Sequence, residues 1–153
     1  MVILKKLKLY LDSCCFNRPF DDLSQDKVRL ECEAILTIIN KSENKIWDIF
    51  KSDVLDDEFN RMTNSFKKQK VLQLYSSASV YVEINDEIIS RAKEFYKLEI
   101  KPFDALHLAS AEYGNADILI TTDKKFLNGA LKSNTKVRVS NPVMWLTEVL
   151  FND

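Results

Sequence analysis

Residues 101–123 read KPFDALHLASAEYGNADILITTD, and this stretch decides the fold. It begins as a short, almost wholly apolar helix, passes through a tight turn, and continues as a buried strand. An aspartate stands at each end, Asp104 and Asp123. About ten helical residues rise roughly 15 Å. The six residues 117–122, if extended, return about 20 Å. The helix carries the chain away from Asp104 and the strand brings it back. Both carboxylates are therefore expected at one edge of the protein.

Working outward, residues 7–11 (LKLYL) alternate as a strand, with Leu7, Leu9 and Leu11 on one face, and end on Asp12. The following SCCFNRPFDD reads as a loop, marked by Pro19 and two aspartates. Ser24 or Asp26 is placed to cap a helix reaching Asn40, because Val28, Cys32, Ile35, Ile38 and Ile39 keep helical spacing. Residues 45–51 (KIWDIFK) form a second strand. Ser52 or Asp53 caps the next helix, carrying Val54, Leu55, Glu58, Phe59 and Met62, and residues 65–75 form another. Residues 78–84 (ASVYVEI) are a β-branched strand, after which Asn85 or Asp86 caps a helix to Leu98. Beyond Asp123 the pattern gives a short helix to Leu131, a last strand at 136–139 (KVRV), and a terminal helix over 142–151 with proline in its first turn.

This alternation predicts an α/β domain: a three-layer αβα sandwich around a mostly parallel sheet of roughly five strands. In such sheets ligands bind outside the carboxyl ends of the strands. Asp12 ends the first strand and Asp123 ends the fourth, so with parallel strands both lie on the rim that also carries Asp104. A fourth acid, Glu58, sits about a turn and a half into the helix after the second strand. Helical side chains lean toward the helix N-terminus, so a long glutamate there reaches back to the same rim. Its neighbours Asp53, Asp56 and Asp57 are rivals, Asp53 reading better as a cap and the other two as facing other sides.

Composition narrows the chemistry. A chain of 153 residues with 46% apolar content is expected to be one domain over 1–153. Two glycines and three prolines leave little room for linkers. The net charge of −1 gives no basic footprint of a nucleic-acid coat protein, yet it leaves room for an enzyme that touches a few phosphates. Cys14, Cys15 and Cys32 include no C-x-x-C pair and face no histidine cluster, which disfavours a zinc site and suits a reducing cytoplasm. Lysines interrupt every apolar run of the opening MVILKKLKLYLD, so it does not read as a secretory signal. No apolar run is long enough for a membrane span.

Each acid alone can be a cap or turn residue. Their convergence is the informative feature. Three or four carboxylates at one rim repel one another, and a divalent cation removes that cost. All-oxygen donors suit Mg²⁺ or Mn²⁺. Such an ion activates water and polarises a phosphoryl oxygen; with a phosphodiester as substrate, the outcome is hydrolysis of a nucleic-acid backbone. A single histidine in the chain is no obstacle to that chemistry. An aspartyl-phosphate mechanism on Asp12 would want a second aspartate two residues later, where Cys14 stands.

The motifs resemble those of the PIN-domain family of metal-dependent ribonucleases, in its toxin-like (VapC-type) branch. The likeness runs from Leu7 to Trp145. Residues 101–123 look like the family's third and fourth acidic motifs, LYLDSCCFNRPFDD like the first, and SDVLDDEF like the second, where Ser52 is followed six residues later by Glu58. The resemblance implies a metal site and catalytic centre on Asp12, Glu58, Asp104 and Asp123. It also implies endoribonuclease activity, a homodimer, and neutralisation by a small antitoxin partner. A non-catalytic RNA- or partner-binding PIN-like protein is the alternative. Around the acids, Ser13, Asn17, Arg18 and Thr122 are candidates for orienting a carboxylate or meeting substrate, Arg18 leading Lys101, Lys124 and Lys125 as a phosphate contact. Cys14 and Cys15 read as packing beside the strand end. His107 reads either as a contact near the site or as an ordinary helix histidine.

Overall fold

The structure, a computed structural model, describes residues 6–152, so the first five residues of the opening segment lie outside it. Five strands form one sheet: β1 (Lys8–Leu11), β2 (Asp48–Ser52), β3 (Val80–Val82), β4 (Ile118–Ile120) and β5 (Val139–Ser140). Their spatial order is β3-β2-β1-β4-β5 and every pairing is parallel. The helices are α1 (Ser13–Asn17), α2 (Asp26–Glu43), α3 (Asp53–Asn60), α4 (Ser65–Tyr75), α5 (Asp86–Lys97), α6 (Pro102–Tyr113), α7 (Lys124–Lys132) and α8 (Pro142–Phe151). The chain steps one way from β1 to β3 and the other way from β4 to β5. Right-handed crossovers therefore send the intervening helices to opposite faces. α2 packs against α8, and α5 against α6. The expected αβα sandwich with a parallel five-stranded sheet is what the chain forms.

The reversal of strand order falls between β1 and β4, whose registers pair Leu9 with Ile118 and Leu11 with Ile120. Both strands are buried throughout, apart from Lys8 at the start of β1. A crevice opens at the carboxyl ends of two such neighbours because their following connections leave to opposite faces. Asp12 and Thr121 stand there.

The loop expected over SCCFNRPFDD is instead helical: α1 runs into a 3-10 turn at Arg18–Phe20. Asp12 starts it by accepting a hydrogen bond from the Cys14 N–H. Pro19 fits the turn because the first residues of a helix need no N–H. Cys15 and Phe16 are thereby pointed into the core, where Phe16 meets Phe59 and Tyr75 edge-on.

The second strand begins at Asp48 rather than Lys45, because α2 extends to Glu43 and uses the next residues as its cap. Lys45 adopts φ 61°, its N–H bonds to the Ser42 carbonyl, and the Ile46 N–H returns to Lys41. The same 6→1 and 5→2 pattern closes α5 through Glu99 (φ 68°) and α6 through Asn115 (φ 56°). In a chain with two glycines, lysine, glutamate and asparagine occupy these left-handed positions. β3 is shorter than the 78–84 expected. It is an edge strand, and beyond it the Ile84 N–H bonds to Asp53 rather than to a neighbouring strand. β5, also at an edge, shifts to Val139–Ser140.

Gly114 has an ordinary φ yet cannot carry a side chain. A Cβ there would lie 2.6 Å from Phe50 Cε1 and 2.9 Å from Val82 Cγ2. The end of α6 thus presses directly on β2 and β3. That contact sets the height of α6, and with it of Asp104, against the sheet.

Candidate metal centre at the strand ends

Asp12 is 3% exposed at the end of β1. Its Oδ2 accepts from Thr121 Oγ1 at 2.6 Å, and its Oδ1 meets both the Cys14 N–H and Cys14 Sγ. Cys14 Sγ in turn accepts from Thr122 Oγ1 at 2.9 Å and from the Thr122 N–H. Burial raises the Asp12 carboxyl well above the usual carboxylate range, and Cys14 adds to the rise. The Cys14 thiol is drawn down to about 6, first by a hydrogen bond from Cys15 and further by Asp12, Thr122 and Thr121, against the effect of burial. The Cys14 thiol donates to the Asp12 carboxyl, so the ionisation of each bears on that of the other.

Glu58 reaches the same rim from α3. Ser13 Oγ donates to its Oε2 at 3.0 Å, and His107 Nε2 contacts its Oε1. The three rivals are occupied elsewhere: Asp53 by Tyr81 and the Ile84 N–H, Asp56 by Tyr75, Asp57 by Arg61. The helix N-cap is Ser52, whose Oγ accepts from the Leu55 N–H.

His107, 1% exposed, continues inward. Its Nδ1 lies 2.6 Å from Tyr10 OH, which lies 2.8 Å from Ser52 Oγ. Burial raises the Tyr10 hydroxyl well above its ordinary pKa. An ionised carboxylate only accepts, so Nε2 carries the proton toward Glu58, and in the neutral ring Nδ1 accepts from the Tyr10 hydroxyl. Sequence reasoning left His107 open and passed over Tyr10. The signals were there: His107 stands one turn after Asp104, and a tyrosine between Leu9 and Leu11 on an inner strand needs a hydroxyl partner.

Asp104 lies in the first turn of α6, and Asp123 caps α7 by accepting from the Lys125 and Phe126 N–H groups. Both line one small cleft with Lys101 and Lys125. Burial pushes the Asp104 carboxyl up to about 6; the charge of Asp12 adds to this, as do Asp123 and Glu58, while His107 opposes it. Asp104 thus feels the charges of the other three acids. Among the described residues no three of these carboxylates have ligand atoms within 4.8 Å of one another; Asp12, Cys14 and Cys15 do. Mutual repulsion and separate protein donors account for the spacing of the acids.

The remaining candidates are placed as follows. Asn17 Nδ2 donates to the Ser13 carbonyl within α1. Arg18 pairs with Asp21 at 3.1 Å, and its Nε lies 3.3 Å from Glu31 Oε1, in an orientation that leaves both atoms without a hydrogen bond. Glu31 is 1% exposed and also accepts from Asn141. Thr122 bonds Cys14, as above. Lys124 and Lys125 are exposed at the start of α7.

Carboxylate oxygens are the donor type that hard divalent cations take, and burial raises the Asp104 carboxyl at this rim. The sequence profile of the PIN domain matches residues 9–131, a span that contains all four acids. The chain belongs to the PIN domain family. PIN domains are generally nucleases. Two solved structures share this PIN fold. VapBC2 from Rickettsia felis, bound to a DNA fragment from its promoter, superposes with a TM-score of 0.58 at 16% identity, covering 88% of this chain and 98% of that one. PAE2754 from Pyrobaculum aerophilum gives 0.52 at 14% identity, covering 94% and 90%. At these identities the likeness is one of fold. No curated protein sequence matches the chain.

Proposed function

We propose that this PIN domain is a Mg²⁺- or Mn²⁺-dependent endoribonuclease and the toxin of a type II toxin–antitoxin pair, acting in the cytoplasm as a homodimer of single-domain chains spanning 1–153. The observation that carries the reading is the common field at the strand ends, where Asp104 senses Asp12, Asp123 and Glu58 together. These four would hold the cation, which when bound supplies an activated water and stabilises charge on the phosphate. Ser13 and His107 fix the orientation of Glu58, and Thr121 that of Asp12. Exposed Lys101 and Lys125 flank the cleft and can hold the phosphates on either side of the scissile bond. The toxin assignment is supported by the motifs and by the shared fold with a VapBC protein. No described helix is long and apolar enough to cross a membrane.

The test is cleavage of RNA with Mg²⁺ or Mn²⁺ by the full chain against Asp12→Asn and Asp104→Asn. Variants that cut as fast as the parent would show that the site is misassigned. One observation favours a second reading, a non-catalytic RNA- or partner-binding PIN protein: Glu58 and Asp12 are already engaged by His107 and Cys14. Tight RNA binding without turnover in saturating Mn²⁺ would establish it. Co-expression with the protein encoded beside it tests the partner: an antitoxin forms a stable complex and suppresses cleavage.

A further inference from the structure

Among the described residues, the group of three metal-capable side chains that stand close together is not three carboxylates. They are Asp12, Cys14 and Cys15, whose ligand atoms all lie within 4.8 Å of one another. We propose that these three form a site for a thiophilic divalent cation, zinc being the natural occupant, and that filling it shuts off the carboxylate centre by taking Asp12 from it.

The donor set decides the class of ion. Two sulfurs and one oxygen are a poor shell for Mg²⁺ and a good one for Zn²⁺, which takes four tetrahedral ligands from sulfur, nitrogen or oxygen. With metal–sulfur near 2.3 Å and metal–oxygen near 2.0 Å, tetrahedral ligands stand roughly 3.3–3.8 Å apart. A cluster already inside 4.8 Å reaches that spacing by shifts of about 1 Å or less, within the range of side-chain rotation. Cys14 is partly exposed, whereas Asp12 and Cys15 are buried, so it is the ligand through which the site meets solvent. The supporting contacts are also in place. Thr121 holds Asp12 Oδ2 at 2.6 Å, leaving Oδ1 toward the sulfur, and Thr122 steadies Cys14 Sγ at 2.9 Å. Metal ligands are commonly oriented by such outer partners. Cys15 Sγ, buried and donating to the Ile120 carbonyl at 3.3 Å, would release that contact to become the third ligand. Coordination displaces the thiol protons to solvent.

Competition follows from geometry. Asp12 is the acid common to both donor sets, so a cation held by Cys14 and Cys15 draws its carboxylate toward α1 and away from Asp104 and Asp123. This inhibitory consequence rests on the proposed nuclease reading, whereas the binding itself does not.

Cobalt(II) is the probe. Titrated into the metal-free full chain kept reduced by a phosphine, Co²⁺ is expected to produce sulfur-to-cobalt charge-transfer absorbance that saturates at one ion per chain, that Zn²⁺ abolishes and Mg²⁺ leaves in place. Cys14→Ser should remove the band and weaken Zn²⁺ binding at least about tenfold, the loss typical even for an outer-shell contact. Cys32→Ser, on α2, should leave the band intact. Absence of the band from the folded parent, or its persistence unchanged in Cys14→Ser, would overturn the proposal. Should Cys14→Ser fail to fold, alkylation of the parent decides: Zn²⁺ but not Mg²⁺ protects Cys14, and equal labelling with and without Zn²⁺ refutes the site. RNA cleavage is read separately. A cobalt band in a chain that cuts no RNA sinks the nuclease reading alone, and cleavage in a chain with no band sinks this one alone.

Discussion

Asp12 and Glu58 are each met by donors from the protein, Thr121 and Cys14 for the first, Ser13 and His107 for the second. Asp123 caps a helix. Asp104, at the same rim, has no hydrogen-bond partner among the described residues, and its nearest influences are burial and three like charges. Three acids thus have work within the fold that would exist without any ligand. The fourth is held in an unfavourable place by α6, gains no hydrogen bond there, and is offset only in part by His107. An uncompensated group kept at a cost is the better marker of function. The contrast also separates two kinds of variant, those that disturb structure and chemistry together and those that touch chemistry alone.

The sharpest use of that contrast is Asp104→Asn. Cleavage should fall at least about a hundredfold, because a carboxylate supporting transition-state charge is worth several kcal/mol. The metal-free protein should melt at the same temperature or higher, since the substitution removes a repelled charge and no hydrogen bond. A drop in melting temperature beside lost activity would erase the distinction between Asp104 and the other acids.

His107→Ala tests the opposite side. It opens a cavity and removes one hydrogen-bond partner each from Tyr10 OH and Glu58, so the protein should lose roughly 2–4 kcal/mol by denaturant unfolding, with no metal or RNA present. His107→Gln should recover part of that loss by restoring a donor. An unchanged midpoint in His107→Ala would mean that the Ser52–Tyr10–His107–Glu58 chain does not stabilise the fold.

Gly114→Ala comes next, at about 1–3 kcal/mol of destabilisation, the usual range for overpacking. Phe50 is wholly buried and has little room to retreat from a Cβ at 2.6 Å. Because the end of α6 rests on this contact, the variant should also disturb the Asp104 end of the site more than Asp12. Reduced metal affinity exceeding the stability loss would show it.

The sheet and its helices are legible because burial of β1 and β4 demands apolar residues: Leu7, Leu9 and Leu11 alternate along the first, and residues 118–120 are apolar throughout the second. Glu58 is legible by spacing; its rivals Asp53 and Asp56 are taken up by partners distant in sequence, Tyr81 and Tyr75, and Asp57 by Arg61 one helical turn on. α1 was missed because aspartate, asparagine, serine and proline mark turns and helix starts alike; only the Asp12 cap distinguishes them. Cys14 was read as packing because its partners, Thr121 and Thr122, lie 107 and 108 positions away. Pairings of that kind belong to topology, and the strand order places β1 beside β4 only once the chain has turned back.

The smallest expected effect is on pH dependence, and it isolates Asp104 again. Its carboxyl rises from 3.8 to about 6 in the folded chain. A group raised in this way favours the fold when protonated. That contribution is complete below pH 3.8 and is lost as pH climbs through 6. A cation needs the carboxylate and must displace the proton, so Mg²⁺ affinity should increase with pH up to about 6 and then level off. Calorimetric titrations from pH 4.5 to about 8 measure this, within the range set by a single proton. Asp104→Asn should weaken binding and flatten the slope between pH 5 and about 6. A slope that survives the substitution would transfer the proton to the Asp12–Cys14 pair, making the buried side of the rim, rather than Asp104, the site where cation and proton compete.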